Sequence, residues 1–401
     1  MTCPGNIEKR IKRHVLGKNR SFFISTVPGY ESLCRDELLS LNLSSTEFNM
    51  FNGGIDFSAR VHECYLANIK LRTANRILMR LDLFKATNFR QLDRKIAAFP
   101  WELYLYPGRT PDVHVTAKQS RLFHTDAVAD HFKEGICQHA PLASVIPPTD
   151  ANHLSYTQQI FVRVIDDRLT VSIDSSGELL HKRGLKIHGG KAPLRETIAA
   201  SILLYAGFNG NEPLVDPMCG SGTFSLEGAM MANHIPAGWY REFAFMGWPC
   251  FKRSRWTYIR REAQKRIDSS PRFQIFASDK DDHACKSLKH TIQNNRLQDV
   301  ISVSQRDFFD LQPIDILRQA GTRRKGLLVL NPPYGHRLER TGKSQKGFIE
   351  ICQKMSADFK GWKFALIVPD KSLLKQIPFK ASTKHLLHGG LTLTLATGRV
   401  E

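Results

Sequence analysis

The first twenty residues, MTCPGNIEKRIKRHVLGKNR, mix polar and basic positions without a helical repeat, so a basic tail is expected over 1–20. Apolar patterning starts at Ser21, where SFFISTVP reads as a strand stopped by the Pro28-Gly29 turn. In YESLCRDELLSLNL, Leu33, Leu38 and Leu41 recur at helical spacing, and FNGGIDFSA reads as a hairpin about Gly53-Gly54. The stretch 62–96 is helical in pattern and carries Arg72, Arg76, Arg80, Arg90 and Arg94. From 111 to 175 strands and helices alternate through VHVTAK, TDAVADHFKEGI and QQIFVRVIDDRLTVSID, the last a hairpin turning at Asp166-Asp167.

At Leu180 the pattern changes. HKRGLKIHGGKAP is a basic, glycine-containing linker, and beyond it apolar strands alternate with helices. PLVDP, FQIFASD, VISVSQRD, LLVLNPP and WKFALIVPD read as strand ends. Gly326–Leu330 is continuously apolar, as expected of a strand covered on both faces. Such alternation predicts a doubly wound parallel sheet, whose ligands bind beyond the carboxyl ends of the strands. The residues that follow those strands are therefore the ones to read for chemistry.

Length and composition narrow the class. With 401 residues, 42% of them hydrophobic and 24% charged, the chain fits two or three ordinary globular domains, not a disordered or fibrous protein. The 57 Lys and Arg against 38 Asp and Glu leave +19, a surplus that predicts a polyanionic partner, nucleic acid first. No apolar run of about 20 residues and no signal peptide is present, which argues against a membrane role. The eight cysteines include no Cys-x-x-Cys pair, so neither a zinc site nor a disulfide framework is expected, and a reducing cytoplasm is.

VDPMCGSGTF (215–224) sets Asp216 at a strand end, followed by Gly220, Ser221, Gly222 and Thr223 at the start of a helix. A dinucleotide fingerprint would need a third glycine where Ser225 stands, and a phosphate loop would need Lys after Gly222. The remaining reading is a nucleoside–amino-acid site, in which Asp216 and nearby backbone face the charged end of S-adenosyl-L-methionine. Asp279, at the next strand end, suits the two ribose hydroxyls. Asp307 suits an adenine amino group, with the Phe308 ring against the base. The late TGKS (341–344) lacks the earlier glycine of a phosphate loop and reads as a basic loop.

LLVLNPPYGHRL (327–338) runs a buried strand into Asn331, Pro332, Pro333 and Tyr334. The two prolines stiffen the turn and remove its N–H donors. A nucleobase amine is a poor nucleophile because its lone pair is conjugated into the ring. Accepting its two hydrogens at the Asn331 side-chain oxygen and the Pro332 carbonyl pushes the nitrogen toward sp³ and frees the lone pair. Tyr334 would stack on the extruded base, a contact worth ~1–3 kcal/mol. Neither metal nor covalent intermediate is required.

STVPGYE (25–31), RTANRILMRL (72–81), HKRGLK (181–186), KAPLRETIAA (191–200), DPMCGSGT and NPPYG, in this order, resemble the THUMP-containing RNA methyltransferases. Among them the sequence is most similar to bacterial 23S rRNA guanine-N2-methyltransferases, many of which carry the label of N6-adenine-specific DNA methylases. The resemblance covers nearly the whole chain from Ser21. It implies an α/β protein: a C-terminal Rossmann-like methyltransferase sheet behind an N-terminal α+β ferredoxin-like/THUMP region. The expected divisions are a ferredoxin-like region at 21–61, a THUMP RNA-binding domain at 62–178, a linker at 179–192 and the methyltransferase domain at 193–401. It further implies that Pro193 and Leu194 abut the cofactor, and that the loop residues above keep their family roles. Gly228 departs from the alanine usual in this helix, which predicts a helix looser by about 0.5–1 kcal/mol. Some family members carry a second methyltransferase domain, so a single activity is expected of this chain.

Three basic clusters are candidate RNA contacts, in 23S rRNA or a large-subunit precursor. KRSRWTYIRREAQKR (252–266) holds seven Lys and Arg, Arg253 and Arg255 among them, with Trp256 and Tyr258 interleaved for stacking. Lys182 and Arg183 lie in the linker, and Lys118, Ser120 and Arg121 form the third. Adenine N6 in DNA or RNA, and guanine N2 in tRNA, are alternative targets. An inactive RNA-binding assembly factor is the rival from another class, and a nicotinamide-dependent oxidoreductase the other enzyme reading.

Overall fold

The structure is a computed structural model that describes residues 4–44, 47–106, 110–139, 157–185, 194–268, 275–332, 342–368, 370–388 and 390–401. The chain forms two compact units. Unit 1 is Met1–Thr26, Arg35–Leu180 and Arg241–Glu262; unit 2 is Val27–Cys34, His181–Tyr240 and Ala263–Glu401.

Unit 1 opens on α1 (Pro4–Ile11) and a π-helical turn (Lys12–Leu16), where the sequence pattern predicts a tail. Ile7, Ile11 and Val15 are buried, three apolar positions at spacing four that the surrounding Lys and Arg mask. Then come β1 (Arg20–Thr26), α2 (Glu31–Ser40, in unit 1 from Arg35), β2 (Phe48–Phe51), β3 (Gly54–Ala59), α3 (Val61–Lys70) and β4 (Ala74–Lys85). Their order β2-β3-β1-β4, all antiparallel, is the ferredoxin-like βαββαβ arrangement. After α4 (Phe89–Ala98) follow β5 (Asp112–Lys118), α5 (Thr125–His139), β6 (Gln159–Ile165) and β7 (Arg168–Asp174). β4 pairs with β7, so one sheet, β2-β3-β1-β4-β7-β6-β5, runs through both expected N-terminal divisions. The β6–β7 hairpin turns at Asp166 and Asp167, both at positive φ (49° and 61°), as the pattern predicts.

The expected long helix over 62–96 is instead α3, β4 and α4. Residues four apart share a face in a strand as well as in a helix, so the arginine spacing could not distinguish them. In β4, Arg80 reaches Asp56 on β3 at 3.1 Å and lies over the Phe23 ring, while Arg76 pairs with buried Asp174 and lies over Phe161.

Unit 2 contains α6 (Glu196–Tyr205), β8 (Leu214–Asp216), α7 (Thr223–Ala232), β9 (Ile275–Asp279), α9 (Asp282–Asn294), β10 (Ile301–Gln305), α10 (Pro313–Gln319), β11 (Leu327–Leu330), α11 (Gly342–Asp358), β12 (Lys363–Val368), β13 (Ala381–His388) and β14 (Leu391–Arg399). The basic helix α8 (Arg253–Gln264) precedes β9 and falls almost wholly in unit 1. The sheet order is β10-β9-β8-β11-β12-β14-β13, with β8 to β12 mutually parallel and β14 antiparallel to β12 and β13. This is the Rossmann-like methyltransferase sheet. Its fully buried strands split by period two. Leu214, Leu327 and Val329 pack with α6, α7 and α9 on one face, and Val215, Leu328 and Leu330 pack with α10 and α11 on the other. The TGKS stretch runs into α11, which begins at Gly342. Among the described residues no helix is long and apolar enough to cross a membrane.

Candidate active site

The strand order of unit 2 reverses at β8, which pairs with β9 on one side and β11 on the other. A parallel sheet opens a crevice at such a switch point, beyond the carboxyl ends of the strands. Here Asp216 ends β8, Asp279 ends β9, Asp307 follows β10 and Asn331 follows β11. Four polar residues chosen from the sequence thus stand along one rim, in the order Asp307, Asp279, Asp216, Asn331.

The glycine loop is held from both sides. Gly222 caps α7 at φ 73°, and a Cβ there would stand 2.3 Å from Leu288 Cδ1 of α9, so both conformation and packing demand glycine. Gly220 is also left-handed (φ 51°), but a Cβ on it would meet nothing within 4 Å, so its backbone borders open space. Its N–H donates to Asp279 Oδ2 at 2.9 Å, and the Cys219 N–H donates to the Ser278 carbonyl at 3.0 Å. Asp279 Oδ1 accepts from Asp281 N–H at 3.0 Å. A carboxylate offers about four acceptor sites, so Asp279 clamps the loop and still has capacity for hydroxyl donors.

Ser225, read from the sequence only as a missing glycine, donates its hydroxyl to Asp216 Oδ2 at 2.7 Å. Both residues are buried, and the bond fixes the carboxylate's orientation. Neither spacing nor composition signals that role, which follows from the first turn of α7 rising beside the end of β8. Ser221 and Thr223 bring their hydroxyls within 3.5 Å of each other at the start of α7. Burial, then the carboxylates of Asp216 and Asp279, push the Cys219 thiol far above its ordinary range.

Asp307 caps a short 3-10 turn through Phe309 N–H at 3.1 Å. Phe308 departs from expectation. Its ring is 1% exposed and packs in the core beside Phe359, with centroids 5.8 Å apart, so it cannot lie against a base; Phe309 is the exposed ring of the pair. Leu194 is buried in the core that α6 shares with the sheet. Asn331 is partly buried and its Oδ1 is fully so, without a hydrogen-bond partner among the described residues. Buried side-chain oxygens normally have one, so this acceptor has capacity for a donor beyond the described residues. Pro332 is buried beside it. Pro193, Pro333 and Tyr334 lie outside the described residues.

The basic candidates separate. Arg253 and Arg255 are exposed on α8, Lys118 is exposed at the end of β5, and Arg121 is exposed after it. Arg183 is not a surface cation. Its side chain is 2% exposed and its Nε donates to Glu227 Oε1 at 2.8 Å, a buried ion pair that ties the linker to α7. Trp256 is likewise internal, edge-on to Phe243 and Phe245, which leaves Tyr258 as the exposed aromatic of that helix. The Ser120 hydroxyl is engaged locally, donating to the Lys118 carbonyl (2.8 Å) and accepting from Asp167 N–H (3.1 Å).

Known proteins share this fold and much of this sequence. Residues 21–78 match the RlmL ferredoxin-like domain. Over 386 residues the chain is 31% identical to the ribosomal RNA large subunit methyltransferase K/L of Methylococcus capsulatus, covering 92% of this chain and 50% of that protein. It is 28% identical to "Putative RNA methyltransferase slr0064" of Synechocystis sp., covering 94% and 96%. A solved structure titled "SMU.472, a putative methyltransferase complexed with SAH" superposes with a TM-score of 0.81 at 26% identity, over 96% of this chain and 99% of that one. The chain spans about half the length of the K/L relatives it matches. Residues 183–394, more than half of its length and all of the rim just described, match the RMKL-like methyltransferase domain, and the chain belongs to that family.

Proposed function

We propose that this protein is an S-adenosyl-L-methionine-dependent RNA methyltransferase acting on guanine N2 of 23S rRNA. The observation that carries the reading is Asn331 Oδ1, buried without a partner among the described residues, at the strand end adjoining the glycine loop. The residues present suit the cofactor. Open space borders Gly220, Asp279 has spare acceptor capacity for a ribose, and the dipole at the start of α7 favours a carboxylate. When bound, the cofactor supplies an electrophilic methyl group. Asp216, oriented by Ser225, faces the cationic amino-acid end; Ser221 and Thr223 border its carboxylate; Pro193 and Leu194 close the site; Asp307 accepts from the adenine amine.

Asn331 Oδ1 and the Pro332 carbonyl accept the two hydrogens of the target amine, and Pro333 stiffens the turn while Tyr334 stacks on the base. Positioning of this kind contributes as much as ~7–11 kcal/mol to a barrier. Residues 62–178, as a THUMP domain, bind the RNA together with Lys118, Arg121, Lys182, Arg253 and Arg255. The Synechocystis relative, named as an RNA methyltransferase and matched over nearly its whole length, supports an RNA substrate.

The test is labelled-methyl transfer to separated rRNA and tRNA pools with nucleoside analysis. N2-methylguanosine in large-subunit rRNA is expected; N6-methyladenosine, or label in tRNA, replaces the proposed target. Asn331→Ala should abolish transfer with cofactor affinity within about twofold of the parent, since a residue that grips only the reacting amine acts in the transition state. Asp279→Ala should weaken cofactor binding measured by calorimetry. Normal turnover by Asn331→Ala removes that residue from the chemistry.

A further inference from the structure

Among the most exposed large apolar side chains of unit 1 is Phe123, 62% exposed in the connection from β5 to α5. Its ring meets that of His124 at 4.0 Å between centroids and 37° between planes. The connection that carries them is fixed. Leu122 is 4% exposed and pegs it to the core, with exposed residues on either side. The Ser120 hydroxyl bridges the Lys118 carbonyl and Asp167 N–H, and the Asp167 carboxylate accepts from Arg121 N–H at 2.7 Å. Arg121 keeps a side chain 75% exposed, and Lys118 is exposed three residues before it.

We propose that Phe123 and His124 form a stacking platform for an unpaired RNA base, with Lys118 and Arg121 contacting the phosphates that flank it. An apolar ring exposed to water on an anchored connection, paired with a second ring and bordered by cations, has the two properties single strands require: a π-face for the base and positive charge for the backbone. A duplex offers the charge but keeps its bases stacked internally, so the platform selects unpaired nucleotides. The inference rests on the RNA reading above and deepens it.

The full-length protein is titrated with a mixed-sequence single-stranded oligoribonucleotide and with a hairpin duplex of the same composition, at several salt concentrations. Phe123→Ala should weaken single-strand binding about tenfold at every salt concentration, within the range aromatic–base stacking allows, and leave duplex binding unchanged. The slope of log K against log salt stays that of the parent, because the ring neutralises no phosphate. Arg121→Ala should instead flatten that slope by about one. Phe123→Trp should retain affinity, and its additional indole emission should be quenched by the single strand and not by the duplex. Parental single-strand affinity in Phe123→Ala overturns the platform and assigns the ring to another partner, as does an equal loss for both RNAs. A parent protein that binds neither RNA refutes the RNA reading itself, an outcome the cofactor calorimetry above keeps separate from misfolding.

Discussion

Cys219 sits in the glycine loop near the carboxylates of Asp216 and Asp279, buried to 8% exposure. The thiolate is the reactive form of cysteine, and a raised pKa lowers its fraction at any given pH. At pH 8 Cys219 therefore stays protonated, while Cys137 is exposed on α5. Iodoacetamide at pH 8 is expected to label Cys137 and to spare Cys219 until the protein is unfolded, as read by peptide mass spectrometry. Labelling of both at one rate would mean that burial and the two aspartates do not protect the thiol. The same scale shows what the residues could tell in advance. Asp216, Gly220, Asp279 and Asn331 were legible because a parallel sheet delivers the ends of its strands to one rim. Phe308 and Phe309 were not distinguishable, since which of two adjacent rings turns inward depends on the 3-10 turn that Asp307 caps. Arg183 was misleading for a related reason: a cation in a basic stretch reads as surface until its buried partner, 44 residues away, is known.

Among the helices, Gly228 in α7 is the clearest case of a local preference overruled. Alanine is favoured over glycine inside a helix by ~0.8–1.0 kcal/mol, and on that basis Gly228→Ala should stabilise the protein. A Cβ at this position would lie 2.3 Å from Leu214 Cδ2. Leu214 is fully buried in β8, so its side chain has no open space to swing into. Overpacking of that kind costs about 1–3 kcal/mol, which exceeds the propensity gain. The expected result is net destabilisation by about 1 kcal/mol in urea unfolding, together with weaker cofactor binding because β8 leads directly into Asp216. A more stable Gly228→Ala variant would show that β8 yields. The glycine thus marks close helix–sheet approach and not a loosened helix. β4 illustrates the converse, an element misread because arginines at spacing four satisfy helix and strand alike. Burial alternates from Ile77 to Leu81, which is the strand signal, and Arg80, on the other face, together with the register shift between Arg80 and Asp82 obscured it.

A linear reading divides the molecule into successive domains, whereas the chain crosses between its two units more than once. Val27–Cys34 belongs to unit 2 although strands of unit 1 lie on both sides of it in sequence, and Arg241–Glu262 returns to unit 1 from within the methyltransferase region. No composition shift marks these crossings, because they are defined by contacts between residues far apart in the chain. The second carries much of unit 1's aromatic core. Phe245 stacks on Tyr65 at 4.3 Å and donates its N–H to the Ser175 carbonyl at 3.0 Å. The Trp248 indole donates to Gln158 at 3.0 Å, and the Arg241 guanidinium donates to the carbonyls of Ser176, Glu178 and Leu179. Phe243, Phe245, Trp248 and Trp256 are all buried. At ~1.5–3 kcal/mol for each large apolar side chain buried, their loss rivals the entire stability of a typical domain, ~5–15 kcal/mol. A fragment of residues 1–180 is therefore expected to lack a cooperative unfolding transition in urea and to show weak near-ultraviolet dichroism. The same fragment joined through a short glycine–serine linker to residues 241–262 should recover both. Cooperative unfolding of 1–180 alone would show that the returning segment decorates unit 1 and does not complete it.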